Sequence, residues 1–475
     1  MTNFILLAAV ILLASVLSSK LLYRFGIPTL LIFLSLGMLL GSDGIGGIYF
    51  DNYVLTQQIS NIGLVFIMFY GGYGFNWKGG KSIAPQAVLL STLGVVFTAF
   101  LTGVFAHYVL KVTLLEGLLL GAVVSSTDAA SVFSVLRSRK LNLKGGLAPM
   151  LEMESGSNDP ISYMLTVVVL SLITNSGGQS VIQLLSKQII FGLGIGFVLA
   201  FVSVYILRRI HFQIEGLYPI FVIGSVLLGY GLCELVGGNG FLAVYIIGIV
   251  MGNNKIPHRK SMDHFFDGIS WLMQIVLFFT LGLLVFPSQL SLVFKGSLTI
   301  AIFLVVIARP VAVASILVWF KTPFKQQLLV SVGGLRGAAS IVFATYALTN
   351  KISIANDIFN TVFIIALLSV SVQGALLPKI AKRLDLVEED NSIFKTVSDY
   401  EDETHTKLIE LVVKENNPWI DKMIMDAEIP EEILVVMIKR KGEVITPKGS
   451  SHIKKGDVLV LTGNSFDALK GKLVV

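Results

Sequence analysis

The chain is 475 residues long, 54% hydrophobic and only 14% charged, with a mean hydropathy of +0.80. That excludes an ordinary soluble domain and marks an all-α polytopic membrane protein. The formal charge of +6 sits mostly in short loops, so it is not a nucleic-acid signal, and the single cysteine, Cys233, excludes an intrachain disulfide or a cysteine metal cluster.

Apolar runs long enough for a hydrocarbon core of ~30 Å fall near 3–19, 23–41, 57–75, 85–110, 114–137, 148–174 and 181–209. They continue at 216–236, 240–253, 264–286, 294–320, 327–349 and 355–382, thirteen spans in all. The first opens with no basic segment and no small-residue cleavage site, so it reads as a retained span. With alternate loops on alternate sides, most basic loop residues, among them Lys20, Arg24, Lys144, Arg208, Arg259 and Lys379, share one face. Lys111, Lys187, Lys295 and Lys351 take the other. The imbalance predicts an outside amino terminus and a cytoplasmic carboxyl tail on a cell-membrane protein.

The fifth span carries Ser125-Ser-Thr-Asp-Ala-Ala-Ser131 in mid-run. Hydroxyls and a carboxylate so close together compete with the helical ladder, so the helix is expected to open here. Freed carbonyls such as that of Thr127 can then face a cation, with Asp128 beside them.

The sixth span holds Glu152-Met-Glu-Ser-Gly-Ser-Asn-Asp-Pro160. An ionised group near the bilayer centre costs roughly 2.5–3.5 kcal/mol even on lenient scales, and is kept for a cavity, a partner or an ion. Ser155 and Asp159 lie four apart, with Glu152 one turn earlier on their stripe, while Glu154 and Asn158 share the neighbouring one. The spacing points to an ion site at Asp159 and Ser155, with Glu154 serving another purpose.

Gly192-Leu-Gly-Ile-Gly196 in the seventh span superficially suggests a nucleotide loop, but no strand precedes it and it reads as helix packing. Arg309-Pro310, near the middle of the eleventh, is either paired internally or lines a water-filled funnel. In the twelfth, Gly333-Gly334-Leu335-Arg336-Gly337 puts an arginine where an acid must answer it, and Glu154 is the best available. A Glu154–Arg336 clasp is the expectation, with the glycines allowing unwinding.

Two echoes run through the membrane part. Gly37-Met-Leu-Leu-Gly41 matches Gly248-Ile-Val-Met-Gly252, and Ala129-Ala130-Ser131 matches Ala338-Ala339-Ser340. Both are offset by seven spans, an odd number, so the paired segments cross in opposite directions. This predicts an inverted repeat of spans 1–6 against 8–13, with spans 5 and 12 unwound where they cross.

Past residue 385 the composition changes. An acidic connector over 386–406, with Glu388, Glu389, Asp390 and Glu401 to Glu403, leads to a small α/β segment over 407–475. Leu408 to Val413, Ile433 to Ile438 and Asp457 to Leu461 read as strands, with Lys441-Gly442 and Lys455-Gly456 as turns. So few residues bury little core alone, which predicts pairing or docking. The six histidines show no ligand spacing and no nucleophilic triad is visible, so neither a metal cofactor nor an enzyme is expected.

On Thr127-Asp128, Glu154 to Asp159 and Gly333 to Gly337, residues 1–385 resemble the monovalent cation–proton antiporters, in their bacterial branch of sodium or potassium/proton exchangers. Asn158-Asp159 resembles that branch's electroneutral signature. The resemblance implies that Asp159 binds cation and proton and that Asn158 holds the helix crossing. It also implies that Thr127, Asp128 and Ser155 complete the site and that Glu154 and Arg336 support it. The chain departs from many relatives at Tyr70, where they carry an acid before the glycine pair Gly71-Gly72. Ile438 to Gly449 and Ile453 to Leu461 resemble the carboxyl-terminal subdomain of regulators of potassium conductance, TrkA-C. That implies regulation by a small intracellular ligand, cyclic di-AMP at a dimer interface in some relatives, and a homodimer in the bilayer. The ligand here is unknown. The reading is a potassium or sodium/proton antiporter. A gated cation channel would need carbonyl filters around a symmetry axis, and a cation-coupled solute symporter would need a larger, aromatic-lined site.

Overall fold

The computed structural model describes residues 6, 9–17, 29–75, 77–128, 131–132, 135–136, 141, 143–174, 180–387, 407–413, 417–430, 433–440 and 443–463. The acidic connector from residue 388 to 406, Ala129, Ala130 and Lys441-Gly442 lie outside them. The chain divides into two compact units, Met1–Glu388 and Glu389–Val475.

The first unit is helical. After α1 (residues 9–17) come α2 (Thr29–Leu40), α3 (Tyr53–Gly74), α4 (Ala84–Leu110), α5 (Leu114–Val124), α6 (Leu147–Thr174) and α7 (Val181–Arg209). Then follow α8 (Leu217–Leu235), α9 (Gly240–Gly252), α10 (Arg259–Leu283), α11 (Pro287–Phe320), α12 (Phe324–Gly333), α13 (Ala338–Thr349) and α14 (Ala355–Arg383). Seven described helices are long and apolar enough to cross a membrane, and eight if α12 and α13, bent by 50° at their junction, count as one span. At 28 residues α6 is long enough as well, but it carries Glu152, Glu154 and Asp159. Its charge has to be answered inside the bundle.

Glycine pairs set the closest helix contacts. A Cβ on Gly282 of α10 would lie 3.0 Å from Gly37 of α2 and closer still to the Leu34 carbonyl. A Cβ on Gly248 of α9 would lie 3.0 Å from the Tyr73 nitrogen of α3. With no side chain between them, backbones pack directly. The main apolar core runs through α3, α9, α10, α13 and α14, with Phe69, Phe241, Phe343 and Phe363 fully buried. A second cluster, around Leu147, Leu151, Val313 and Leu329, surrounds the start of α6.

Three long helices contain a wide, π-type turn: Leu90–Gly94 in α4, Leu304–Ala308 in α11 and Ser369–Gln373 in α14. In α11 the turn runs into Arg309-Pro310, where proline supplies no amide hydrogen to the ladder. At the foot of α6, Leu143 pairs with Val387 in an isolated antiparallel bridge, and the Lys144 amide donates to the Leu386 carbonyl at 2.9 Å. Lys144 Nζ also meets Asp385 at 3.1 Å.

The second unit is an antiparallel sheet of β1 (Lys407–Val412), β2 (Ile433–Arg440), β3 (Glu443–Ile445) and β4 (Val458–Gly463), in the order β1-β4-β2-β3. Val435, Ile438, Leu459 and Leu461 alternate onto the face that buries Trp419. Arg440 donates to both oxygens of Asp457, at 2.8 and 2.7 Å, and Asp457 is 1% exposed.

Candidate functional site

The site forms where α5 and the α12–α13 pair lose their helical hydrogen bonds. A capping box of Thr113 and Glu116 starts α5, which ends at Val124. Residues 126–128 run without helical structure. Asp128 caps the chain that follows: its Oδ1 accepts the Ser131 amide at 3.3 Å and its Oδ2 the Ser131 hydroxyl at 2.6 Å. Opposite, α12 ends at Gly333 and α13 begins at Ala338, leaving Gly334 to Gly337 unwound. The two open stretches are tied by the Asp128 amide, which donates to the Leu335 carbonyl at 2.8 Å. Gly337 lies against the Asp128 carboxylate, where any Cβ would collide with it.

Each opening leaves polar backbone to satisfy, and side chains do so. The Arg336 guanidinium donates to the carbonyls of Ser125 at 2.6 Å and Ser126 at 2.9 Å, a cation at the negative end of α5. The Arg336 amide donates to the Ser369 hydroxyl in the wide turn of α14 at 2.9 Å. Ser369 donates in turn to Gln373, whose amide reaches the Val332 carbonyl at 2.7 Å.

The unbroken α6 lies across this crossing. Asn158, fully buried, accepts the Thr127 amide at 3.2 Å and donates to the Thr127 hydroxyl and, at 3.4 Å, to Glu154. The Ser155 hydroxyl donates to the Thr127 carbonyl at 2.7 Å. Asp159 accepts a hydrogen bond from the Ser126 hydroxyl. Carboxylate, hydroxyl and carbonyl oxygens of α6 and of the opened chain thus collect around Thr127. At the same crossing the Asp128 carboxylate meets Ser131 and Gly337.

The expected clasp needs correcting. Glu154 pairs with Arg309, whose Nη2 stands 2.8 Å from each carboxylate oxygen, with both side chains almost wholly inaccessible. Arg336 instead satisfies freed carbonyls. Unwinding supplies carbonyl acceptors for the Arg336 donors, and of the two readings open for Arg309 the internal pair is the one observed. Sequence reasoning also missed Ser126 as the partner of Asp159, although it stands in the quoted hydroxyl run, and missed Ser369 and Gln373 entirely.

The chain is similar to known proteins over most of its length. The family model described as "Sodium/hydrogen exchanger, transmembrane" matches residues 7–383, and a TrkA-C domain matches residues 408–470. A protein of Alkalimonas amylolytica named K(+)/H(+) antiporter NhaP is 36% identical over 96% of this chain and 80% of its own length. One from a Shewanella species, K(+)/H(+) antiporter NhaP2, is 34% identical over 98% of this chain and 82% of its own. The solved sodium proton antiporter MjNhaP1 of Methanocaldococcus jannaschii superposes with a TM-score of 0.71 at 25% identity, over 80% of this chain and 99% of that one. This multi-pass membrane protein therefore belongs to the sodium/hydrogen exchanger family and carries a TrkA-C domain at its carboxyl end.

Proposed function

We propose that the protein is a secondary antiporter exchanging one monovalent cation, K+ in preference to Na+, for one H+. The carrying observation is the Asp159 carboxylate of α6, set beside hydroxyl and carbonyl oxygens of a broken helix. Such oxygens suit a dehydrated monovalent cation, and a carboxylate that can hold either cation or proton, never both, couples the two flows. In this reading Asp159, Ser155, Thr127 and Asp128 bind the cation. Asn158 fixes the crossing, while Glu154 and Arg336 support it, Glu154 through Arg309. The preference for potassium rests on the names of the Alkalimonas and Shewanella relatives.

The finer architecture belongs to the same proposal: thirteen spans, an inverted repeat, an outside amino terminus and a cytoplasmic tail beyond a connector at 386–406. The repeat is supported by paired features seven spans apart. Wide turns interrupt both α4 and α11, and the α2–α10 glycine contact is answered by that of α9 with α3. The TrkA-C unit is assigned to regulation in a homodimer, by a nucleotide such as cyclic di-AMP.

Reconstituted vesicles test the reading with K+, Na+ and Li+ compared. Exchange should move protons with every cation and should vanish in Asp159→Asn while the protein still folds. Cation flux without proton movement would identify a channel instead, and an Asp159→Asn variant exchanging at near the parent rate would remove Asp159 from the site.

A further inference from the structure

The stripe of α6 that carries Asp159 is unevenly open. Glu152, Gly156 and Asp159, at successive turns, are all partly accessible. One turn further along, access stops: Tyr163 is 5% exposed and Thr166 is fully buried. Partial accessibility on this stripe thus runs from Asp159 back toward the start of α6 and ends at Tyr163 on the way to its finish.

What ends it there is a specific assembly. The Tyr163 hydroxyl donates to Glu234 at the end of α8, at 3.3 Å to Oε2 and 3.5 Å to Oε1. Glu234 Oε1 also accepts the Gly240 amide at the start of α9, 3.0 Å away. The Tyr163 ring stands edge-on to Phe241 of α9, 4.9 Å between centroids, and to Tyr346 of α13 at 5.5 Å, with Phe343 at 5.7 Å. Tyr346 in turn accepts a hydrogen bond from Asn61 of α3 at 2.8 Å. Just below, Asn239 donates to the Pro160 carbonyl at 2.7 Å, directly after Asp159. These contacts join the two helices flanking the crossing, α6 and α13, to the neighbouring α3, α8 and α9. Nothing in the packing of an apolar core needs a half-buried carboxylate there, and apolar residues would fill the same space without the cost of drying it.

We infer that the Tyr163–Glu234 bond, set in this aromatic plug, is the gate that closes Asp159 off from the membrane side on which α6 ends. The inference rests on Asp159 as the carrier site. A site that alternates between two sides must have the way past Tyr163 opened in the other half of its cycle. A long hydrogen bond lends itself to that: it holds when made and is readily replaced by water when broken. Glu234 is thus a positioning residue, acting on transport through Tyr163.

Accessibility tests the gate without requiring transport, so its failure and failure of the antiporter reading are separable. With Cys233→Ser as background, Asp159→Cys places a reporter thiol at the site. A membrane-impermeant thiol reagent is then applied to intact cells for one face and to inverted vesicles for the other. The parent should label from the face where α6 begins and be protected from the opposite one. Adding Tyr163→Phe or Glu234→Ala should raise labelling from the protected face roughly fivefold, the shift expected on losing one ordinary hydrogen bond. Labelling from the first face should hold, which shows that each variant is folded. Equal labelling of the parent from both faces, or protection unchanged in both variants, would overturn the gate.

Discussion

At the scale of single residues, the three buried ionic groups of the crossing behave differently because their partners differ. Glu154 and Arg309 answer each other out of reach of water. Removing either leaves an orphan charge at a cost of about 3–5 kcal/mol, whereas removing both should lose less than the sum. Glu154→Gln and Arg309→Gln should therefore be strongly non-additive in thermal unfolding, and additive losses would mean that the pair contributes nothing jointly. Arg336→Gln should combine with Glu154→Gln close to additively, since the main acceptors of Arg336 are the carbonyls of Ser125 and Ser126. The meeting of Asn158 and Ser155 with Thr127 could be approached from the sequence because both lie within one regular helix, where spacing fixes the face. The partner of Glu154 could not. Arg309 follows a wide turn that inserts an extra residue and so rotates everything beyond it by roughly 100°, an unwritten change of phase.

At the scale of elements, the proposed site depends on helices that break and on what satisfies their ends. The breaks were legible: Ser125 to Asp128 and Gly333 to Gly337 are poor helix interior by composition alone. The wide turn at Ser369 to Gln373 was not, because no proline or glycine pair announces it. Its hydroxyl links it to the break. Ser369→Ala leaves the buried Arg336 amide without its acceptor, and should lower stability by roughly 1–3 kcal/mol in denaturation of the purified protein. Gly337→Ala acts elsewhere. Its new methyl would sit on the Asp128 carboxylate, and relief of that overlap must displace Asp128 from its cap. Exchange in vesicles should fall by an order of magnitude or more, with helical content by circular dichroism unchanged. Retained exchange would mean that the geometry of Asp128 is not needed.

At the scale of the whole molecule, one titrating carboxylate per cycle predicts exchange without net charge. The rate at saturating cation should then be indifferent to an imposed membrane potential, and a clear voltage response would bring Asp128 into the titration. The tail has a pH dependence of its own. Its hydrogen bonds from Arg440 hold the Asp457 carboxyl below the usual aspartate range, with the Lys454 amide assisting. A carboxyl depressed on folding stabilises the fold above its unfolded value, and that contribution disappears as pH falls through the lower folded one. Protection of the β4 amides from hydrogen exchange, taken relative to the intrinsic rate at each pH, should fall under acid conditions in the parent. In Asp457→Asn it should already be low at neutral pH, with little further acid effect. The tail's strand pattern was readable because period-two alternation needs only local sequence; β3, three residues long, gave no such signal.

The small bridge between Leu143 and Val387 gives the chain a point of leverage. A pull on Val387 would reach the root of α6, which begins twelve residues before Asp159, and not the last turn of α14 alone. Two truncations bracket that anchor: one after Glu388 leaves it in place, and one after Leu386 cuts it away. If both gave the same exchange profile across pH, the anchor would be ornament; a difference between them would measure how far a tug on the tail is felt at the ion.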